Sequence, residues 1–396
     1  MKILQLHNRY RRAGGEDAVV AAEAALLAGR GHDVRQVMFD NDASSGRSIL
    51  GDLGLAAGAV WNRESHHRIR QVCREFRPDV AHVHNFWMRM SPSVYAACGE
   101  ESVPVVQTLH NYRLICPNAM LLRGGAPCTD CVGRLPWRGV AYRCYRHSYA
   151  ASLTAALTIS LQNARDAAPD LYVALTENSR QFFIRGGLPA HRICVKPNFV
   201  HDPGPPQSSP SQSNTVVFVG RLDEEKGVQV LLDSWLQGGC DELGALHIAG
   251  EGPLRLLLES QVASHGLKNV TFLGQLHAGE VKRLLASSRC LVFPSLWHEP
   301  FGLTITEAYA AGRPVVAFKI GAPSELVRQD ATGLLAPAAD TAALASSLRR
   351  MLGDGDLCDR LGTCARTVYL EEYSPDRNYL RLADIYQQAA AAAHAS

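Results

Sequence analysis

The chain has 396 residues, 46% of them hydrophobic and 20% charged, with a formal net charge of +2. That length and apolar share fit two folded domains with sizeable cores, and exclude a disordered, collagen-like or disulfide-stapled miniature chain. The small net charge hides an asymmetry, with 24 Lys/Arg against 16 Asp/Glu through Val200 and 16 against 22 from His201 onward.

Taken in chain order, the first half alternates short apolar runs with helix-length segments. Residues 3–6 form a strand candidate, too short for a signal-peptide apolar region. Residues 16–29 read as a helix with Val19, Val20, Leu26 and Leu27 on its apolar side. Further strands are expected at 34–38, at 80–83 after Pro78-Asp79, at 103–109 and at 171–175. The second half repeats the alternation, with strands expected at 215–219, 245–248, 270–273, 290–293 and 314–317. Strands separated by helices predict parallel βαβ units.

Between the halves, residues 201–214 read HDPGPPQSSPSQSN, with almost no apolar content, and mark an interdomain linker. The domains expected are 1–200 and 215–374, followed by an Ala-rich helix over 375–396 that packs back on the N-terminal domain. The fold class expected is α/β, two doubly wound domains facing across a cleft, with ligands at the carboxyl ends of the strands. No run approaches the roughly 18 apolar residues of a membrane span. The longest candidate, 150–161, is interrupted by Ser152, Thr154, Thr158 and Ser160.

The most restrictive pattern follows the strand at 290–293 and reads P-S-L-W-H-E-P-F-G-L-T-I-T-E-A. Glu299 and Glu307 are separated by seven residues across a loop that gives way to a helix. Gly302 permits close backbone approach to a ligand, and the free amides of Phe301, Gly302, Leu303 and Thr304 at the helix start favour an anion such as a diphosphate. Glu299, in the loop, is placed to reach a sugar. Glu307, more than a turn inside, can grip two neighbouring hydroxyls, as a ribose offers.

This string resembles the E-x7-E motif of the large retaining glycosyltransferase family 4, with the GT-B fold of two Rossmann-like domains, and the resemblance covers nearly the whole chain. Val217-Phe218-Val219-Gly220-Arg221-Leu222, followed by Lys226-Gly227, is similar to the family's G-R-L-x-x-x-K-G segment, which implies that Arg221 and Lys226 hold the donor diphosphate. Ala249-Gly250-Glu251-Gly252-Pro253 resembles the family's A-G-x-G-P turn, and Phe272-Leu273-Gly274 the segment whose backbone meets the base; Gly321-Ala322-Pro323-Ser324-Glu325 also follows the pattern. Gly14-Gly15 before the first helix resembles the family's N-terminal glycine pair, placed near phosphate or sugar; a simple tight turn is the plain alternative.

On the acceptor side, His110 ends the strand at 103–109, and the resemblance implies that it reaches the donor sugar near the reaction centre. His82, His84 and Asn85 also end a strand, either lining an acceptor cleft or serving the core. The family reading implies retention of configuration, with the departing diphosphate taking the proton from the attacking hydroxyl. Arg221, Lys226 and the helix start would stabilise the leaving group, while Glu299 would orient the sugar. No Asp-x-Asp cluster stands ready for a catalytic divalent ion, and none is expected.

Eleven cysteines scattered over a large chain fit a reducing cytoplasm. Four of them, Cys116, Cys128, Cys131 and Cys144, fall at C-x11-C-x2-C-x12-C in a stretch with little apolar periodicity. A structural zinc site and scattered or redox-paired thiols both fit that spacing. The basic excess draws on Arg9, Arg11, Arg12, Arg63, Arg68, Arg70, Arg74 and Arg89, where an anionic lipid surface or a lipid-linked pyrophosphate is the expected partner. No nucleic-acid motif is present, so nucleic acid is not expected. The function implied is transfer of a sugar from a UDP- or GDP-linked donor to a saccharide or lipid-linked acceptor, in the cytoplasm or at the inner face of the membrane. The alternatives are another GT-B enzyme, an epimerase or a phosphorylase, and a silent nucleotide-sugar binding protein.

Overall fold

The computed structural model describes residues 1–9, 14–40, 58–163 and 168–395. Two compact units divide the chain. One comprises Met1–Leu121, Cys128–Pro197 and Asn378–Ser396, the other Leu122–Pro127 and Asn198–Arg377.

The first unit is built on a six-stranded sheet, β1 (Lys2–Arg9), β2 (Asp33–Asp40), β3 (Val80–Asn85), β4 (Val105–Leu109), β7 (Leu171–Ala174) and β8 (Ile193–Val195), in the order β2-β1-β3-β4-β7-β8. All its ladders are parallel. Every residue of β3, β4 and β7 is buried, as a sheet covered on both faces requires. A two-stranded hairpin, β5 (Leu122–Arg123) with β6 (Ala126–Pro127), lies between β4 and β7 in the sequence. The helix Gly15–Gly29 buries Val19, Val20, Glu23 and Leu27, one face at helical spacing. That face differs from the sequence expectation, because Glu23 takes an inward position while Leu26 is only partly buried. The helix Arg63–Phe76 is capped by Asn62, whose side chain accepts from the Ser65 amide, and turns Ser65, Ile69, Cys73 and Phe76 inward.

The C-terminal helix, Pro375–Ala395, supplies Leu382, Ile385, Tyr386 and Ala389 to the core of the first unit, beside Ile3, Val80, Val106 and Val173. Their i, i+3, i+4, i+7 spacing is one helical face, and burial of each large side chain contributes about 1.5–3 kcal/mol. The core of the first unit is therefore completed by this helix.

The second unit holds β9 (Thr215–Val219), β10 (Ala245–Ala249), β11 (Val270–Gly274), β12 (Cys290–Phe293), β13 (Val315–Phe318) and β14 (Gly333–Ala336), in the order β11-β10-β9-β12-β13-β14. This is the strand order of a doubly wound dinucleotide-binding sheet, and its direction reverses between β9 and β12. In the first unit the reversal falls between β1 and β3. Ligands of such sheets sit at the carboxyl ends of the strands flanking the reversal.

Three expectations are corrected. The edge strands β8 and β14 are missing from the expected set; unlike β7, β12 and β13, they are not buried throughout. β4 begins at Val105, since Pro104 has no amide to donate and its carbonyl accepts from Ala81 instead. Residues 201–214 are not a free linker. Pro210 is buried, and Ser211 donates to Asp359 through its amide (2.8 Å) and its hydroxyl (2.6 Å). Arg289 adds a bond to the Ser213 carbonyl, 3.1 Å, so a segment without large apolar groups is held by polar contacts.

Candidate active site

In the second unit the motifs read from the sequence lie along the carboxyl edge of the sheet, those after β9 and β12 flanking the strand reversal. Arg221 and Lys226 follow β9, Gly250 and Gly252 follow β10, Leu273 lies near the end of β11, and residues 294–307 follow β12. Backbone contacts stitch these loops together. The Gly220 amide donates to Ala249 (3.0 Å), the Leu222 amide to Glu251 (3.0 Å), the Gly250 amide to Gly274 (2.7 Å) and the Leu296 amide to Glu225 (2.8 Å). Gly250, at φ +146, leaves no room for a side chain, because a Cβ there would overlap the Gly220 carbonyl oxygen. Gly227, at φ +69, is under the same constraint from the Pro294 carbonyl. These glycines serve loop-on-loop packing first.

Glu299 sits in the middle of this arrangement, 7% exposed. Its Oε1 accepts from Lys226 Nζ at 2.6 Å, Ser295 Oγ at 2.8 Å and Trp297 Nε1 at 2.9 Å. All three bonds fall on one oxygen, and among the described residues Oε2 has no hydrogen-bond partner. Lys226 also lies 5.8 Å from the centre of the Trp297 ring. The turn after β13 supports the loop from behind, where the Ala322 amide donates to the Glu299 carbonyl (2.9 Å) and a Cβ on Gly321 would come within 2.6 Å of the Glu299 nitrogen. Ser295, Trp297 and Gly321 have no assigned role in the sequence reading beyond the string that contains them. Ser295 and Trp297 lie within four residues of Glu299, and of the three only Gly321 meets it from a distant part of the chain.

The helix Leu303–Ala310 starts from Gly302 without a side-chain cap, and its first backbone bonds run from Ile305 and Thr306 to the Gly302 carbonyl. The amides of Leu303 and Thr304 thus face outward at the positive end of the helix dipole. The Phe301 side chain turns inward and meets the Tyr373 ring at 6.2 Å, so only its backbone is placed for a ligand. Arg221 is 67% exposed and pairs with Asp223 (2.7 Å) and Glu225 (3.1 Å). Both cations assigned to a diphosphate are thus neutralised by carboxylates in the protein alone. Glu307 lines a small open pocket with Val200, His201, Pro203 and Lys282. Burial pushes its carboxyl up to about 7, with Lys282 opposing.

In the first unit, His110 follows β4 beside a pocket that it shares with His84, Asn85 and Trp87. His84 Nδ1 and His110 Nε2 are 3.0 Å apart. Burial lowers His84 to about 3 and holds His110 well below the ordinary histidine range, so both rings are neutral near pH 7. His82 is fully buried, with its Nε2 at 2.8 Å from Thr108 Oγ1. His82 and His84 therefore belong to one buried network, and only His110 among them reaches the surface in part. Gly14 and Gly15 open the first helix, but the Gly14 amide donates to Asp17 Oδ2 at 2.9 Å, and Glu16 and Asp17 occupy the first turn. Those two acids already bring negative charge to that helix start, and the Gly14 backbone is extended.

The cysteine segment is compact. The Cys128 amide donates to Leu121 (2.7 Å) and the Cys144 amide to Gly139 (2.9 Å), while Gly139 packs on Pro117 so closely that a Cβ would fall 2.6 Å from its ring. Burial raises the Cys116 thiol, and its Sγ donates to Asn118 Oδ1 at 2.9 Å. Burial also raises Cys131 to about 11, against the Gly139 amide, and Cys116, Cys144 and Cys128 lie close enough to add to that rise. The four sulfurs do not form a closed cage. Among the described residues, the group of metal-ligating atoms mutually within 4.8 Å is Glu23, His82 and His84. Of the arginines named above, Arg70 and Arg74 pair with Glu101 (2.6 and 2.9 Å), Arg68 lies over the Phe39 ring (4.7 Å) and Arg9 is 3.8 Å from Asp40. Arg11 and Arg12 lie outside the described residues.

Comparison with known proteins follows the same division. Residues 13–202 match the family model "Glycosyltransferase Family 4", and residues 205–368 match "Glycosyl transferases group 1". Glycogen synthase of Mycobacterium tuberculosis is 27% identical over 375 residues, 93% of this chain and 81% of that one. An uncharacterized glycosyltransferase of Methanocaldococcus jannaschii is 30% identical over 175 residues, and the match spans 45% of that protein, less than half its length. Among solved structures, HepE of Anabaena in complex with UDP superposes with a TM-score of 0.68 at 20% identity, over 98% of this chain and 100% of that one. Sucrose-phosphate synthase of Thermosynechococcus elongatus gives 0.71 at 19%, over 99% and 100%. With both family models matched in order, and with two parallel six-stranded sheets of doubly wound type, the chain belongs to glycosyltransferase family 4 and has the GT-B fold.

Proposed function

We propose that the protein is a retaining hexosyltransferase that takes its sugar from a UDP- or GDP-linked donor and passes it to the hydroxyl of a lipid-linked saccharide. The observation that carries this reading is Glu299, a buried carboxylate fixed by three donors at the strand reversal, beside outward-facing helix amides. A carboxylate held on one oxygen leaves the other to accept from sugar hydroxyls without reorganisation. The diphosphate would lie against the amides of Leu303 and Thr304, with Arg221 turning from Asp223 and Glu225 to the phosphate oxygens. Lys226, shared with Glu299, would couple the position of the phosphate to that of the sugar. Glu307 would accept from the two ribose hydroxyls. His110 would be the substrate-contacting histidine of the first unit. No catalytic metal enters the scheme, since the fixed cations and amides stabilise the departing diphosphate. HepE of Anabaena, solved with UDP and with UDP-glucose, has the same fold and supports a nucleotide-linked donor.

The lipid-linked acceptor is supported by a surface other than the one marked by the sequence. Residues 131–165 contain no Asp or Glu. Arg134, Arg138, Arg143 and Arg146 are exposed there, with Leu135 (66%), Trp137 (47%) and Tyr142 (59%) among them. The helix Tyr149–Asn163 continues the surface with Tyr149, Leu153, Leu157 and Leu161 on one exposed stripe. Exposed aromatic, leucine and arginine side chains without acids suit an anionic lipid interface, where the protein would sit peripherally on the cytoplasmic face. No described helix is long and apolar enough to cross a membrane. Beside this surface, Cys116, Cys128, Cys131 and Cys144 would hold a structural zinc. The ion would draw the four sulfurs together and supply the positive charge that thiolates need against the burial that now raises Cys116 and Cys131.

Glu299→Gln should lower turnover roughly 100-fold, and Lys226→Met should weaken donor binding about tenfold. Wild-type kinetics in both variants would remove the site assignment. The carboxylate form of Glu307 is the minority below pH 7 and the majority above it. Donor KM should accordingly fall as pH rises through about 7, and Glu307→Gln should flatten that profile; an unchanged profile in the variant contradicts the ribose role. Sedimentation with vesicles should show binding to anionic but not to neutral lipid, lost in L153E/L157E. Equal binding to both vesicles, or retention by the variant, contradicts the surface. Purified protein should carry one zinc per chain, lost in Cys131→Ser, and a metal-free native protein rules the zinc out.

A further inference from the structure

The first unit buries more ionisable groups than the transfer scheme uses. Glu23, 1% exposed, lies at the centre of a network that links the first helix, three strands and the C-terminal helix. Its Oε2 accepts from Lys196 Nζ at 3.1 Å, and Lys196 also donates to Asn378 Oδ1 at 3.3 Å. Its Oε1 accepts from Gln5 Nε2 at 3.3 Å and lies 3.0 Å from His82 Nδ1 and 3.3 Å from His84 Nε2. His82 Nδ1 is also 2.8 Å from the Tyr386 hydroxyl. Glu23, His82 and His84 could ligate a metal by distance alone. The Lys196 ammonium already supplies the positive charge that such an ion would bring, so the cluster is better understood as a hydrogen-bonded chain.

The direction of that chain follows from its fixed ends. Burial alone would raise the Glu23 carboxyl, but Lys196 and His82 outweigh it and hold the group well below the ordinary range. Glu23 is therefore an ionised acceptor. A neutral His84 has one proton to place. Its Nε2 faces the carboxylate at 3.3 Å, off the line of a good hydrogen bond, and a lone pair there would be repelled. The proton consequently sits on Nε2, and Nδ1 must accept. The atom 3.0 Å from that Nδ1 is His110 Nε2, which must therefore carry its own proton.

We propose that Glu23 and His84 are positioning residues that fix the tautomer of His110, so that His110 presents a bare Nδ1 as a hydrogen-bond acceptor to a substrate hydroxyl. The proposal rests on His110 as the substrate-contacting histidine and adds what that contact is. It selects a hydroxyl that donates, and disfavours a carbonyl or phosphate oxygen at the same point. Lys196 and the C-terminal helix enter only by keeping Glu23 ionised and in place.

The test is the nitrogen-15 spectrum of the imidazoles in the full-length protein, with His110 assigned by its loss in His110→Gln. The expected signal has Nδ1 unprotonated and Nε2 protonated. The opposite tautomer overturns the proposal. In Glu23→Gln, Lys196 still requires an oxygen, so the amide nitrogen turns toward the imidazoles and the chain reverses, placing a proton on His110 Nδ1. Turnover should then fall about tenfold with donor KM changed by less than about twofold. A folded Glu23→Gln protein that keeps the original tautomer also overturns it. His84→Phe cuts the chain one step later and should leave His110 a mixture of both tautomers; if Glu23→Gln does not fold, the wild-type spectrum and this variant decide the matter. Wild-type turnover in His110→Gln would instead remove the substrate contact itself, whichever tautomer the spectrum shows.

Discussion

The second unit depends on one buried ion pair. Lys226 and Glu299 meet at 2.6 Å, each on a loop that leaves one of the two strands flanking the reversal of the sheet. A carboxylate 7% exposed requires a counter-charge, and removal of either partner would leave an uncompensated charge in a poorly solvated place. The pair thereby fixes the separation of the two loops, and with it the distance between the cations after β9 and the helix amides after β12. Glycine at 227 and 250 lets these loops lie backbone to backbone, which a side chain at either position would prevent.

The first unit uses the same device for a different end. Lys196 and Glu23 are 173 residues apart in the chain and meet at 3.1 Å inside the core. Such pairs rarely add stability over a well-packed apolar core, since both charges must be stripped of water. What this pair does supply is direction. It gives the chain from His84 to His110 a charged terminus, and so a defined order of donors and acceptors. The last part of the chain completes the enclosure through Asn378 and Tyr386, which ties the unit's core to its polar network.

Much of this was legible in the sequence, for a local reason. Parallel strands buried on both faces are continuous apolar runs, and the donor segment is a contiguous string, so β3, β9, β12 and the residues from Glu299 to Glu307 could be read without neighbours. The edge strands β8 and β14, which are not buried throughout, lack that signal. Pairings were not legible at all. Nothing near Glu23 marks it as the partner of Lys196, and its place in an apolar stripe looks like an irregularity until the second charge is found. The arginines suggested a basic face, yet Arg70 and Arg74 are matched by Glu101 on another element. The proline-rich segment at 201–214 looked solvated because its contacts, Ser211 to Asp359 and Arg289 to Ser213, are polar.

The carboxyl edge of the second sheet, organised by Lys226 and Glu299, is where we propose that a nucleoside-diphosphate sugar binds. Amide hydrogen exchange in the presence and absence of UDP, UDP-glucose and GDP-mannose tests it most directly. One donor of the panel should slow exchange in the loop after β9, around Gly220–Val228, and in the segment from Trp297 to Ala308, with little change at the opposite edge of the sheet. Protection confined to other segments, or none from any nucleotide, would contradict it.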